Sequence, residues 1–371
     1  MTPSSEPSLA GGIDPALQRA LATVVDPEIR RPLVDLDMIP DARLDGATAR
    51  IRLELTVAAC PAADRIEADV RLAAASVAGV EQVEIEVAVM APAKRQALVE
   101  RLRGSRPAQF GPDTLTRIIA VASGKGGVGK STVTANLAVA LAARGLTVGV
   151  MDADVHGYSI PALLGTAAKP TRVGDMMMPP EAHGVRLVSI GMFVDGNRSV
   201  SWRGPMLHRT LQQFVTDVWW GDLDVLLIDM PPGTGDVAIS LGQLMPHAEV
   251  LVVTTPQKAA ADVAERAAEV ARQTGQRVLG VVENMAGLAQ PDGTVLELFG
   301  AGGGDEAARR LGVPLLARIP LSVALRTGGD AGSPVVAAEP TDPAAAAIIA
   351  LAESLRGTRP LAGRGLPLSP A

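Results

Sequence analysis

The sequence predicts an α/β protein: a mostly parallel sheet with helices on both faces, preceded by a small α+β domain. Three observations predict it. From Arg117 onward, short β-branched runs alternate with helical segments, the pattern that lays down parallel strands joined by helical crossovers. Those runs are almost continuously apolar, as strands buried on both faces must be. Earlier in the chain, Ala49–Thr56 and Val83–Val89 alternate apolar and polar residues at period two, as half-buried strands of a smaller sheet do.

Taken in order, residues 1–12 are rich in Pro and Ser and read as a flexible tail. Residues 13–100 form the small domain. Leu17–Val24 has helical spacing, the pairs Asp26-Pro27 and Arg31-Pro32 interrupt it, and Ala62–Ala75 suits a second helix. Residues 101–115 combine Arg, Gly and Pro without periodicity, which is linker chemistry. The large domain spans 116–355. Its strands are expected at 118–122, 147–151, 186–190, 225–228, 250–254, 278–282 and 315–319, and its helices at 131–143, 206–218, 259–273 and 306–311. Residues 356–371 are rich in Gly, Pro and Arg and read as a disordered tail.

Composition removes several classes of function. Of 371 residues, 47% are hydrophobic and 20% charged, an ordinary globular balance. Aromatics are only 2%, too few for a base-stacking platform. The net charge of −6 gives no global attraction for nucleic acid or anionic membranes. No apolar stretch approaches the ~18 residues a membrane span needs. Cys60 is the single cysteine, so neither an internal disulfide nor a multi-cysteine metal site can form within one chain. With no export signal at the N-terminus, the expectation is a soluble cytoplasmic protein. His156, His183, His208 and His247 are scattered without ligand spacing.

The chemistry concentrates in Gly124-Lys125-Gly126-Gly127-Val128-Gly129-Lys130-Ser131-Thr132, which satisfies G-x-x-x-x-G-K-[ST] between an expected strand and an expected helix. Glycines let backbone N–H groups turn inward around phosphate oxygens, and the helix N-terminus adds its positive dipole end. Lys130 is placed to reach the β and γ phosphates, the Ser131 hydroxyl to ligate Mg²⁺, and Thr132 to bond the α-phosphate. Lys125 is an extra cation that the loop does not need for its own phosphates.

This loop resembles the deviant Walker A loop of the nitrogenase iron protein and of the chromosome-partitioning and septum-site ATPases. The resemblance implies a nucleotide-sandwich homodimer in which Lys125 acts on the partner's nucleotide. It makes Asp154 the residue that positions or activates the attacking water, puts Asp152 near the metal, and makes Asp229 a Walker B carboxylate that holds Mg²⁺ through water. It also puts Asn284 where a side-chain amide recognises adenine. A strand-end Asp can equally cap a helix, and for Asp236 the two readings stand level.

Longer motifs narrow the family. Trp202-Arg203-Gly204-Pro205-Met206, Leu223–Asp236, Thr255-Pro256-Gln257, Val282-Glu283-Asn284-Met285, Phe299-Gly300 and Ile319-Pro320-Leu321 resemble the Mrp/ApbC iron–sulfur cluster carriers. The first domain, with Asp26-Pro27-Glu28-Ile29 and Leu55–Pro61, resembles the small domain of iron–sulfur assembly factors. The resemblance implies a homodimer that binds ATP and Mg²⁺, hydrolyses ATP slowly, and serves iron–sulfur scaffolds or apoprotein clients. It also implies a [4Fe–4S] cluster bridged by two Cys-x-x-Cys pairs. Residues 286–298, where that pair belongs, contain no cysteine. Cys60 is then the remaining candidate ligand, or else a small buried apolar residue. The alternatives are an ATP-dependent positioning or partition switch, and a regulatory scaffold that does not bind a cluster.

Overall fold

A computed structural model describes residues 12–57, 62–103, 109–111, 114–155, 157–193, 204–290 and 292–356. The elements run α1 (Pro15–Leu21), β1 (Asp41–Asp45), β2 (Thr48–Leu55), α2 (Ala63–Ala75), β3 (Gln82–Val89) and α3 (Pro92–Arg103). They continue with β4 (Arg117–Ser123), α4 (Lys130–Ala142), β5 (Val148–Asp152), α5 (Ile160–Leu163), β6 (Thr171–Val173), β7 (Met176–Met178), β8 (Glu181–Ala182) and β9 (Val185–Ser189). Then follow α6 (Gly204–Thr216), β10 (Val225–Asp229), α7 (Asp236–Leu244), β11 (Glu249–Thr254), α8 (Lys258–Gln273), β12 (Arg277–Asn284), β13 (Leu288–Ala289) and β14 (Val295–Leu296). The chain closes with α9 (Gly303–Leu311), β15 (Leu315–Ile319), α10 (Val323–Ala331), α11 (Val335–Ala338) and α12 (Pro343–Arg356).

The chain divides into two compact units. The first takes residues up to 107 together with two returns, 170–179 and 217–221. Its sheet has the order β1-β2-β3, antiparallel then parallel, with α2 as the crossover between the parallel pair. The period-two pattern of β2 turns Ala49, Ile51, Leu53 and Leu55 inward. Leu17 and Leu21 of α1 meet them, as do Ile66, Val70 and Ala74 of α2, each set at the i, i+4 spacing that aligns one helix face. Asp14 caps α1 by accepting from the Ala16 N–H at 2.8 Å, and Pro15 takes the first helical position. Val173, Met176, Met178 and Trp219 from the two returns complete this core.

Two features depart from the expected domain organisation. The expected linker begins at 101, whereas α3 runs on to Arg103, because Leu98, Val99 and Leu102 fall on one face and are all buried. The two returns also place part of the expected large domain within the first unit.

The second unit is an eight-stranded sheet of order β15-β12-β11-β4-β10-β5-β9-β8, parallel throughout except at the β8 edge. Strands β4, β5, β9 and β10 are buried at nearly every residue, which matches their unbroken apolar runs. Helices α4 and α12 pack on each other and join the core formed by Ile119, Val121, Val148, Val150, Leu251 and Val253. Helices α8 and α9 pack on each other and on β11 and β12. From β4 the chain moves to β5 and β9, then returns through β10 to build β11, β12 and β15 on the other flank. Strand order therefore reverses at β4, and in such sheets ligands bind at the carboxyl ends of the strands beside the reversal. No helix among the described residues is long and apolar enough to cross a membrane.

Candidate functional site

The loop between β4 and α4 sits at that reversal. Gly127 and Gly129 both have φ +78°, the left-handed region that glycine enters without steric cost. A Cβ on Gly127 would meet nothing within 4 Å, so no neighbouring atom closes over the loop there. Gly124 is the opposite case. A Cβ there would lie 2.1 Å from the Val263 carbonyl oxygen, so only glycine lets α8 pack this close to the loop.

Two side chains of the α4 N-terminus converge on Asp229 at the end of β10. Lys130 Nζ lies 2.7 Å from Asp229 Oδ1, and the Ser131 hydroxyl donates to Oδ2 at 2.5 Å. Thr134 Oγ1 adds a third bond at 2.9 Å. The ion pair is buried, with Lys130 5% exposed and Asp229 not at all.

Asp152 ends β5 directly beside Asp229 in the parallel register. It is fully buried and accepts from the Ser189 hydroxyl at 2.9 Å and from the backbone N–H groups of Asp154 and Ile160. Burial, reinforced by the negative charge of Asp229, pushes its pKa up to about 7. Burial pushes Asp229 upward as well, while Lys130, Ser131 and Thr134 oppose it. The ammonium 2.7 Å from Asp229 favours the charged form of that carboxylate. Asp152 thus shapes the turn that carries Asp154, whose Oδ1 accepts from the Gly157 N–H at 3.0 Å.

Asp154 lines a cleft of about 420 Å³ together with Ser123, the loop residues Gly126 to Thr132, Ser159 and Pro232. A second cleft, of about 530 Å³, shares Gly129 and Thr132 with it and is walled by Leu163, Met285, Leu298, Phe299, Pro320 and Leu321. Asn284 lines this second cleft and donates through Nδ2 to the Val128 carbonyl at 2.8 Å. A cleft lined by the glycine loop thus adjoins an apolar one. That is the shape of a site for a phosphate chain followed by a flat base.

The structure gathers the loop residues Gly126 to Thr132 and Asp154 around one cleft, sets Asp229 and its neighbour Asp152 against Lys130 and Ser131, and places Asn284 in the adjoining cleft. It turns Lys125 elsewhere: Nζ donates to Gln257 Oε1 at 2.6 Å. Sequence reasoning did not assign Thr134 to Asp229, nor Gln257 to Lys125, although Thr255-Pro256-Gln257 was visible as a motif. Cys60, His156, Trp202, Arg203 and residues 357–371 lie outside the described residues. The interval without cysteines folds as the β13–β14 hairpin, and Val295, Leu296 and Leu298 leave it exposed.

A family profile described as NUBPL iron-transfer P-loop NTPase matches residues 114–356. The chain belongs to the NUBPL iron-transfer P-loop NTPase family. A second profile, described as iron-sulfur cluster assembly protein, matches residues 15–87. Family relatives named iron-sulfur cluster carrier protein include one from Mycobacterium tuberculosis H37Rv, 52% identical over 97% of this chain and 98% of its own length. Others are from Deinococcus radiodurans, 45% identical over 92% and 94%, and Synechocystis, 41% identical over 92% and 96%. Among solved structures, the ADP complex of a nucleotide-binding protein from Archaeoglobus fulgidus is 40% identical. It aligns with a TM-score of 0.52 over 58% of this chain and 86% of that one. The septum site-determining protein MinD with Mg-ADP from Pyrococcus horikoshii gives 0.50 at 28% identity, over 65% and 96%. The fold is thus that of the P-loop NTPases.

Proposed function

We propose that this chain is an ATP-dependent iron–sulfur cluster carrier that works as a homodimer. The observation that supports it most directly is the convergence of Lys130 and Ser131 on buried Asp229 beneath an open glycine loop, continuous with the apolar cleft at Asn284. The carrier names of relatives with the same domain pair supply the cargo.

The residues present suit ATP with Mg²⁺. Loop N–H groups receive the phosphates, and the second cleft receives adenine against Asn284. Lys130 is tied to Asp229 until a phosphate takes its ammonium, and that exchange leaves a buried carboxylate in need of a new cation. Ser131 and Asp229 would hold Mg²⁺, with Asp152 behind them, and the ion would supply positive charge against the phosphates. Asp154, on the cleft wall, orients the attacking water in line with the γ-phosphate. Lys125 of the second copy stabilises the charge that develops there.

Fluorescent-nucleotide titration tests the site: Lys130→Ala abolishes binding, and unchanged affinity would remove the assignment. Lys125→Ala retains binding and loses turnover; full turnover would end the trans-lysine reading. The cargo is tested by anaerobic reconstitution with iron and sulfide. Wild type retains iron and Cys60→Ser does not, whereas equal iron in both eliminates Cys60 as a ligand. A scaffold without cargo is the second reading. The lack of cysteine in residues 286–298 favours it, and a wild type that binds no iron would establish it.

A further inference from the structure

Lys125 follows Gly124, the residue pressed against Val263 of α8, and its ammonium reaches Gln257 at the N-terminus of that helix. A helix N-terminus is a poor place for a cation, because its unpaired N–H groups carry partial positive charge. The first turn of α8 holds no acidic residue, and its first residue is Lys258. Among the described residues, no carboxylate lies within ion-pair distance of Lys125. What holds the ammonium is a neutral amide: Gln257 Oε1 accepts from Nζ at 2.6 Å and from Thr255 Oγ1 at 3.3 Å.

That amide is fixed in place. Gln257 occupies the cap position of α8 yet makes no side-chain capping bond, so the helix does not need its side chain. The preceding Pro256 is anchored, since its carbonyl accepts from the Gly303 N–H at 2.9 Å, and Gly303 packs too closely on Pro256 to carry a Cβ. The acceptor thus sits on a braced loop at the end of β11, while the lysine projects from the glycine loop.

We infer that Gln257 is a positioning residue: it parks Lys125 within its own subunit until a second copy presents its nucleotide. This rests on the trans-lysine reading given above. A neutral acceptor suits the task. It satisfies the ammonium more weakly than a carboxylate would, so a polyanionic phosphate chain readily displaces it. The parked state therefore sets a threshold on productive pairing without blocking it.

The chemistry makes two substitutions act in opposite directions. Gln257→Glu converts the hold into an ion pair, and Gln257→Met keeps the volume and removes the acceptor. The experiment measures ATP turnover across a range of protein concentrations for wild type and both variants, with fluorescent-nucleotide affinity measured beside it. Gln257→Glu is expected to raise the protein concentration for half-maximal turnover about tenfold, the ratio between a charged and a neutral acceptor. Gln257→Met is expected to lower it severalfold, and nucleotide affinity is unchanged in both. A merely structural role would move both variants the same way. Shifts of the same sign, or none, overturn the inference, and Gln257→Ala replaces any variant whose circular dichroism shows it unfolded. Lys125→Ala, run in parallel, separates the two claims. If it keeps turnover, the trans-lysine reading fails. If it loses turnover while the Gln257 variants match wild type, only the parking role fails.

Discussion

Lys130 and Asp229 form a buried ion pair, so the residue that would grip phosphate also neutralises a carboxylate with no access to water. Removing one member of such a pair strands the other. Lys130→Ala should therefore lower the unfolding free energy of the nucleotide-free chain by roughly 3 kcal/mol, read from urea midpoints. Asp229→Asn in the same background should recover much of that loss. Asp26 and Glu28 give a second test at this scale. Burial raises Asp26 above its ordinary range, against the N–H groups of Ile29 and Glu28 that it accepts from. Burial and the charge of Asp26 raise Glu28, which accepts from Thr171 Oγ1 at 3.3 Å. A carboxyl with a raised folded pKa binds its proton more tightly in the native chain than in the unfolded one. Its stabilising contribution is present below the ordinary carboxylate range and is lost as pH climbs through the raised value. Urea midpoints should thus fall as the pH rises above the ordinary carboxylate range, and Glu28→Gln should flatten the slope. The loop residues were legible in the sequence because their chemistry is local: a run of glycines, a lysine and a hydroxyl act through neighbouring backbone. The hold on Lys125 was not, because Gln257 lies 132 residues away and only the fold makes them meet.

Among the elements, α8 and the phosphate loop share the tightest constraint. The Cβ of Gly124→Ala would lie 2.1 Å from a backbone oxygen of α8, which cannot rotate aside as a side chain would. This variant should lose about 3 kcal/mol or more and lose nucleotide binding with it, whereas Gly127→Ala, whose Cβ would meet nothing within 4 Å, should cost about 1 kcal/mol through its positive φ alone. Thermal unfolding of the two variants side by side checks the contrast. The parallel strands were readable from their apolar runs and fall within one or two residues of expectation, as β10 at Val225–Asp229 does. Helices α7, α10 and α12 were not read as helices. In α12, Ala344, Ala345, Ile348, Leu351, Ala352 and Leu355 are all buried, and so broad an apolar face shows little of the polar contrast that reveals a helix in sequence.

For the whole molecule, what composition could not reveal is that the first unit is discontinuous. Its core needs Val173, Met176 and Met178 from one return and Trp219 from another. A fragment ending at Arg103 lacks them and should bind the dye ANS and melt without a sharp transition, although its own sheet and three helices are present. Adding the two returns as separate peptides should restore little, because the covalent tether that concentrates them is gone. The same discontinuity governs biosynthesis. The last strand of the first unit's sheet leaves the ribosome well before Trp219 does, and the tryptophan follows the end of α3 by more than a hundred residues. At ~5–20 residues per second, translation leaves that nascent core unsealed for on the order of ten seconds. The amino-terminal unit is thus begun first and finished late, and until then the emerging chain exposes greasy surface that a chaperone at the exit tunnel is suited to shield.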